Sequence, residues 1–150
     1  MIFVTVGTHE QQFNRLMKEI DRIGASLDEE IVVQYGYSDY IPNHCKAYQM
    51  ISASDMEKYV NDARIVITHG GPGSIMAPLL IGKKPIVVPR QAQFNEHVND
   101  HQVLFTKHLE KENKIIAIYN IEDLENAVQN YNTDMVKINL SLIHISEPTR

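Results

Sequence analysis

Between Ile65 and Gln102 the chain twice runs from a β-branched stretch through a turn into a helical pattern, and this repetition limits the folds open to it. Ile65-Val-Ile-Thr68 leads into His69-Gly-Gly-Pro-Gly-Ser74, which opens an apolar helix closed by Gly82. Pro85-Ile-Val-Val88 leads to Pro89-Arg90 and then to the polar cluster Glu96-His-Val-Asn-Asp-His-Gln102. Successive strands that each feed a helix run parallel, because the helix carries the chain back to the edge where the strand began. The two turns therefore gather on one rim, the carboxyl end of a parallel sheet, where open sheets of this kind bind ligands.

The remaining sequence keeps the same alternation. Ile2–Val6 predicts a strand, and Gln11–Ile23 predicts a helix with Phe13, Leu16, Met17, Ile20 and Ile23 at helical spacing, stopped by Gly24. Ile31–Tyr35 and Cys45–Ile51 predict two further strands, and Ser54-Asp-Met-Glu57 predicts a capping box that starts a helix reaching Asn61 or Asp62. Arg64–Thr68, Ser74–Ile81, Pro85–Val88, Glu96–His108, Ile115–Ile118 and Ile121–Tyr131 follow as alternating strands and helices. Right-handed crossovers then give a doubly wound, Rossmann-like α/β domain, its parallel sheet covered on both faces.

Composition narrows the function classes. With 150 residues, 43% hydrophobic and 22% charged, the chain suits one soluble core, and a net charge of -5 argues against a large nucleic-acid footprint. Cys45 is the only cysteine, which excludes an intrachain disulfide and fits a reducing compartment. The start, Met1-Ile-Phe-Val-Thr-Val, reads as a strand rather than a signal peptide. The longest charge-free run, Ile65 to Gly82, holds His69, four glycines and two prolines, so it is not a membrane helix. A cytoplasmic location is expected, with any membrane contact made through a partner. Leu140-Ser-Leu-Ile-His-Ile-Ser-Glu-Pro-Thr-Arg150 looks like a translated sequencing-library adapter; it is set aside as a non-native tail to a domain spanning 1–139.

The chemistry concentrates in three places. In His69, Gly70, Gly71, Gly73 and Ser74, glycines allow close approach, a helix N-terminus favours an anion, and the imidazole and hydroxyl add donors. That set predicts a diphosphate cradle; a tight turn around a buried histidine is the plainer alternative. Neither Gly-x-Gly-x-x-Gly nor a P-loop is present, and Lys83-Lys84 reads as a solvated turn. Glu96, His97 and Asn99 offer the short polar groups that sugar hydroxyls need, at the start of a predicted helix capped by Asn95, with Asp100 the most structural member. His97 and His101 share a helical face, but no zincin glutamate follows the first, so no metal site is assigned. His9 or Glu10 could serve as general base on the same rim, unless Thr8 simply caps the first helix there.

Together His69-Gly-Gly-Pro-Gly-Ser74, Gly82-Lys-Lys-Pro-Ile-Val-Val-Pro-Arg90, Glu96-His-Val-Asn-Asp-His-Gln102 and the opening Met1-Ile-Phe-Val-Thr-Val-Gly-Thr-His-Glu10 resemble the glycosyltransferase family 28 C-terminal domain. Within it they resemble the small bacterial subunits of capsule and exopolysaccharide glycosyltransferases. The resemblance implies the donor-binding half of a GT-B enzyme. The acceptor-binding half would lie on a membrane-anchored partner, as in the two-subunit N-acetylglucosaminyltransferase of dolichol-linked oligosaccharide synthesis, whose cytosolic catalytic subunit this chain is similar to.

The implied reaction moves a hexosyl group from a UDP-sugar to a lipid-linked saccharide, with no metal or other cofactor. His69, Gly73 and Ser74 would hold the diphosphate; Glu96 and His97 would contact the donor sugar beside Asn99; and Met50 and Ile51 would lie near uracil. Ala77 stands where many relatives place a ribose-binding glutamate. A non-catalytic UDP-sugar-binding or scaffold subunit is the alternative. An epimerase would need a Tyr-x-x-x-Lys pair, which is absent.

Overall fold

The computed structural model describes residues 1–131, and the tail set aside above lies outside them. Strands β1 (Ile2–Thr5), β2 (Ile31–Gln34), β3 (Lys46–Tyr48), β4 (Ile65–Thr68), β5 (Ile86–Val87) and β6 (Ile116–Ala117) form one sheet in the order β3-β2-β1-β4-β5-β6. All five pairings are parallel, and Ile2 of the central β1 aligns with Ile31 on one side and Ile65 on the other. The helices are α1 (Asn14–Ser26), α2 (Ala53–Asp62), α3 (Pro72–Leu80), α4 (His101–Lys111) and α5 (Leu124–Gln129). The order reverses between β1 and β4, so a crevice opens beyond their carboxyl ends.

Strands β1, β2 and β4 are buried along their full length, which is why they read as unbroken apolar runs rather than as alternation. Ile2, Val4, Ile65 and Ile67 face one side, where Leu16, Met17 and Ile20 of α1 and Leu124 and Val128 of α5 cover them. Phe3, Val32 and Val66 face the other, against Val60 of α2, while Val87 packs under Ile75 and Leu79 of α3 and Leu109 of α4. Gly82 ends α3 with φ +79°; its N–H reaches Leu79 O at 3.0 Å, and Lys83 N–H reaches Pro78 O at 2.9 Å, a Schellman closure that glycine makes cheap. The Lys83 ammonium then bonds the carbonyls of Val60, Asn61 and Ala63, tying this turn to the C-terminus of α2. Lys83 is thus a cap, not the solvated turn residue expected from sequence.

Several boundaries differ from expectation. Helix α1 runs through Gly24 to Ser26; a side chain at Gly24 would meet His44 O at 2.9 Å, so that glycine makes room for a crossing loop and does not stop the helix. Ser52, not Ser54, caps α2, accepting from Asp55 N–H at 3.2 Å. The strand expected over Cys45–Ile51 is only Lys46–Tyr48. Residues Ile121–Asp123 form a 3-10 turn before α5. The largest change is at α4, which starts at His101 and leaves Glu96–Asp100 as a loop.

Candidate functional site

Three loops meet over the crevice: the one leaving β1, the one joining β4 to α3, and the one joining β5 to α4. Their meeting is recorded in contacts far apart in sequence. The His9 and His97 rings stack with centroids 4.4 Å apart and planes 11° from parallel. The Gln12 amide donates to Phe94 O and Asn95 O, each at 3.0 Å.

His69 sits at the centre with 7% of its surface exposed. Its Nδ1 accepts from Gly71 N–H at 3.2 Å, and the Gln102 amide nitrogen lies 3.3 Å from the same atom. A backbone N–H can only donate, so Nδ1 carries the lone pair and Nε2 the proton, which points at Ser74 Oγ 3.1 Å away. Burial foremost, then the positive charge of Arg90, pushes the His69 pKa down to about 3, so the ring is neutral at physiological pH. The ring lies between two glycines: a Cβ on Gly7 would run into Nε2, and one on Gly71 into Cε1.

The expected cradle is thus divided. Gly70 N–H is taken by Gln102 Oε1 at 3.1 Å and Gly71 N–H by His69, so both serve the protein. Gly73 and Ser74, in the first turn of α3, have N–H groups with no intrahelical carbonyl to bond. Beside Gly73 there is open space, no atom lying within 4 Å of a Cβ built there. Because Ser74 Oγ accepts from His69, its own hydrogen is free to point outward. An anion at this helix end meets two N–H groups, one hydroxyl and the positive end of the α3 dipole.

The sugar-side residues occupy a different setting from the one the sequence suggested. Asn95 does not cap a helix; it sits at φ +58° after a 3-10 turn, Ala92–Phe94. Glu96 is 1% exposed, and Arg15 of α1 grips it twice, Nε to Oε2 at 2.8 Å and Nη2 to Oε1 at 3.0 Å, while Gln91 N–H adds a third bond at 3.1 Å. Asn99 Oδ1 accepts from His101 N–H, and Asp100 Oδ1 from Ala92 N–H, so Asp100 is structural as expected. His97 Nδ1 is buried without a protein partner, and burial lowers the pKa of that ring. Since His97 precedes α4, it and His101 do not share a helical face, and among the described residues no group of three or more His, Cys, Asp or Glu is placed to hold a metal ion.

On the β1 side, α1 begins at Asn14, too far on for Thr8 to cap it. His9 Nε2 lies 2.8 Å from Gln11 Oε1, an acceptor, so Nε2 carries the proton and Nδ1 is left as the basic atom. Glu10 is exposed. Gln34, at the end of β2, accepts at Oε1 from Thr5 Oγ1, Val6 N–H and Gly7 N–H, and its amide nitrogen reaches Gln49 O and Met50 Sδ. That brings Met50 to the rim, where Tyr48, Met50, Ile51, Ser52, Asp55 and Tyr59 line a groove of about 190 Å³.

Residues 1–140 match the model of the Glycosyltransferase family 28 C-terminal domain. The chain belongs to this family. A zeaxanthin glucosyltransferase from Pseudescherichia vulneris is 30% identical over 94 residues, covering 59% of this chain and 22% of the relative. Among solved structures, the glycosyltransferase of kitacinnamycin superposes with a TM-score of 0.63 at 20% identity over 85% of this chain and 33% of its own. MurG of Acinetobacter baumannii gives 0.59 at 17% identity over 89% of this chain and 42% of its own. The family 28 domain therefore spans about a fifth of the curated relative it matches and well under half of each of these solved chains.

Four residues that shape this candidate site were not assigned to it from sequence: Gln34, Gln102, Arg15 and Arg90. Arg90 is fully buried, its guanidinium bonded to the carbonyls of Val6, Gln11, Gln12 and Glu96. Burial lowers its pKa to about 10, which still leaves it charged at neutral pH. A signal was present for two of them: Gln34 is the lone amide closing an apolar strand, and Gln102 ends the polar cluster. Ala77 lies exposed on α3, one turn beyond Ser74.

Proposed function

We propose that this domain is the donor-binding, catalytic half of a glycosyltransferase that moves a hexosyl group from a UDP-sugar to a lipid-linked saccharide in capsule or exopolysaccharide synthesis. The observation that carries the reading is the meeting, at the β1–β4 crevice, of an open helix N-terminus bearing a freed Ser74 hydroxyl with the stacked His9–His97 pair. Phosphate oxygens of UDP sit at Gly73 and Ser74, where the α3 dipole and the hydroxyl stabilise the charge that develops as the sugar–phosphate bond breaks. His69 supports this from behind. Uracil lies toward Met50 and Ile51, and the sugar toward His97 and Asn99, with Glu96 shaping that loop from beneath.

Transfer forms a bond from an acceptor hydroxyl oxygen to the anomeric carbon while the bond to UDP breaks, and the hydroxyl proton goes to His9 Nδ1. The His97 ring, stacked with its centroid 4.4 Å away, lies against the cation His9 then becomes. Glu10 is the other candidate base on this loop. The acceptor is supplied by a membrane-anchored partner subunit; no helix among the described residues is long and apolar enough to cross a membrane.

A second reading, UDP-sugar binding without chemistry, is favoured by one observation: the Glu96 carboxylate is already held by Arg15. Co-expression with candidate membrane subunits and assay of sugar transfer from a panel of UDP-sugars separates the two. Transfer by the complex that is lost in both Ser74→Ala and His9→Ala is expected. Turnover that survives both substitutions would overturn the assignment of the site, and UDP-sugar binding with no turnover in any complex favours the second reading.

A further inference from the structure

We propose that Gln102 is a positioning residue of the anion site: its side-chain amide joins the Gly71 N–H in holding His69 in the Nε2–H tautomer and so keeps the Ser74 hydroxyl hydrogen free for a phosphate oxygen of the ligand. The inference rests on the diphosphate reading above and extends it to a residue that touches no ligand. Gln102 lies in the first turn of α4, buried, and its two amide atoms do different work. Oε1 accepts from Gly70 N–H at 3.1 Å and from Arg90 N–H at 3.0 Å, binding the β4–α3 loop to the end of β5. With both backbone donors on the oxygen, the nitrogen faces His69 Nδ1, and its N–H joins that of Gly71 in donating to the ring.

Two donors on one ring nitrogen leave the proton only on the other. Nε2–H then donates to Ser74 Oγ, and a hydroxyl that already accepts in that direction turns its own hydrogen away from the ring. The fit is tight as well as polar: a Cβ on Gly70 would lie 2.8 Å from Gln102 Cβ, so the amide cannot be approached from another angle without moving the loop.

A purely structural staple would need only the accepting oxygen. Gln102→Glu keeps that oxygen for Gly70 and Arg90 but presents a carboxylate oxygen to Nδ1. The carboxylate favours a proton on Nδ1, which displaces the Gly71 N–H from that atom; Nε2 becomes the acceptor, and the Ser74 hydrogen turns inward. Nitrogen NMR of the ligand-free protein reads the tautomer directly, since the unprotonated ring nitrogen resonates far downfield of the protonated one. The wild type is expected to show an unprotonated Nδ1, and Gln102→Glu a protonated one, with a lowered melting temperature because the new carboxylate is buried.

Titration with UDP, and with uridine as the phosphate-free control, reads the consequence. UDP affinity is expected to fall by about tenfold or more in Gln102→Glu, the worth of a hydrogen bond to a charged group, with uridine binding unchanged. In a Ser74→Ala background the same substitution is expected to change UDP affinity little, because the group through which it acts is gone. Retention of the Nε2–H tautomer in Gln102→Glu, or a full loss of UDP affinity that persists without Ser74, would overturn the proposal. If the tautomers behave as stated but the wild type binds UDP no better than uridine, the diphosphate reading is what fails, and with it the role given to the Ser74 hydroxyl.

Discussion

Replacing Arg15 by methionine isolates the buried ion pair under the β5–α4 loop. The substitution keeps an apolar stem near the Phe94 ring, whose centroid lies 4.6 Å from the guanidinium carbon, and removes the two bonds to Glu96 at 2.8 and 3.0 Å. Hydrogen bonds involving a charged group contribute about 1.5–3 kcal/mol each, and stranding one partner of a buried pair costs about 3–5 kcal/mol. With Glu96 only 1% exposed, water does not take over the lost contacts, so a destabilisation of about 3–5 kcal/mol is expected. Urea unfolding measures it, and a domain of this size should also melt about 10 °C lower.

Replacing both Arg15 and Glu96 by methionine should recover much of the loss, leaving about 1–3 kcal/mol for the orphaned Gln91 N–H. A change below about 0.5 kcal/mol for Arg15→Met would refute the reasoning and return Glu96 to the pool of free ligand-binding carboxylates. The outcome decides how Glu96→Ala is read: if the pair is as described, its loss of function reports a disturbed loop as much as a missing sugar contact.

Other outcomes follow from the same geometry. His69 has a folded-state pKa pushed down to about 3, so below pH 6.5 the unfolded chain takes up a proton that the native one refuses. Its contribution is therefore complete above pH 6.5 and is lost as pH falls toward 3, by up to about 1.4 kcal/mol per pH unit; an NMR titration of the His69 ring should be flat from pH 8 to 5, and a midpoint near 6.5 contradicts this. Gly7→Ala places a Cβ against His69 at φ +75°, and about 2–4 kcal/mol of lost stability is expected from left-handed backbone and overlap, together with weaker UDP binding in the same titration. Burial alone raises the Asp21 pKa, but bonds from Tyr40, the His44 N–H and ring, and Asn43 N–H outweigh it and hold the carboxyl near 2. That stabilisation is present above pH 4 and lost as pH falls to 2, so the stability gap between wild type and Asp21→Asn should shrink over that interval in acid-unfolding curves.

The order of elements was legible because the central strands are buried on both faces and so stand out as apolar runs, Ile31–Gln34 and Ile65–Thr68 above all. Their ends were less so where local sequence offers equal choices. Ser52 with Asp55 and Ser54 with Glu57 are both serine-to-acid pairs three apart, and only the packing of α2 selects the first. Glu96 and its neighbours read as a helix start because acids favour that place, yet the carboxylate is claimed by Arg15, 81 residues earlier, and the helix waits until His101. In the site, the position of His69 and Ser74 at a strand end was visible, whereas the direction of their hydrogen bonds was not. That direction is set at Nδ1 by the Gly71 N–H together with the Gln102 amide, and the second partner lies 33 residues away, a relation no spacing rule carries.

The buried guanidinium of Arg90 divides the β5–α4 loop into two regimes. It holds carbonyls from Val6, Gln11, Gln12 and Glu96, so the stretch from Pro89 to Glu96 cannot swing outward without stripping a cation of its partners inside the protein. Beyond Glu96 the contacts are lighter, the His97 ring stacking on His9 and Asp100 Oδ1 accepting from Ala92 N–H, and Val98 stands 77% exposed in that interval. Variation in this loop then has a confined address: residues 97–99 can exchange side chains and backbone path while the inner part of the loop, and the sheet rim it seals, keeps one form. Substitutions in this short window leave the fold unchanged.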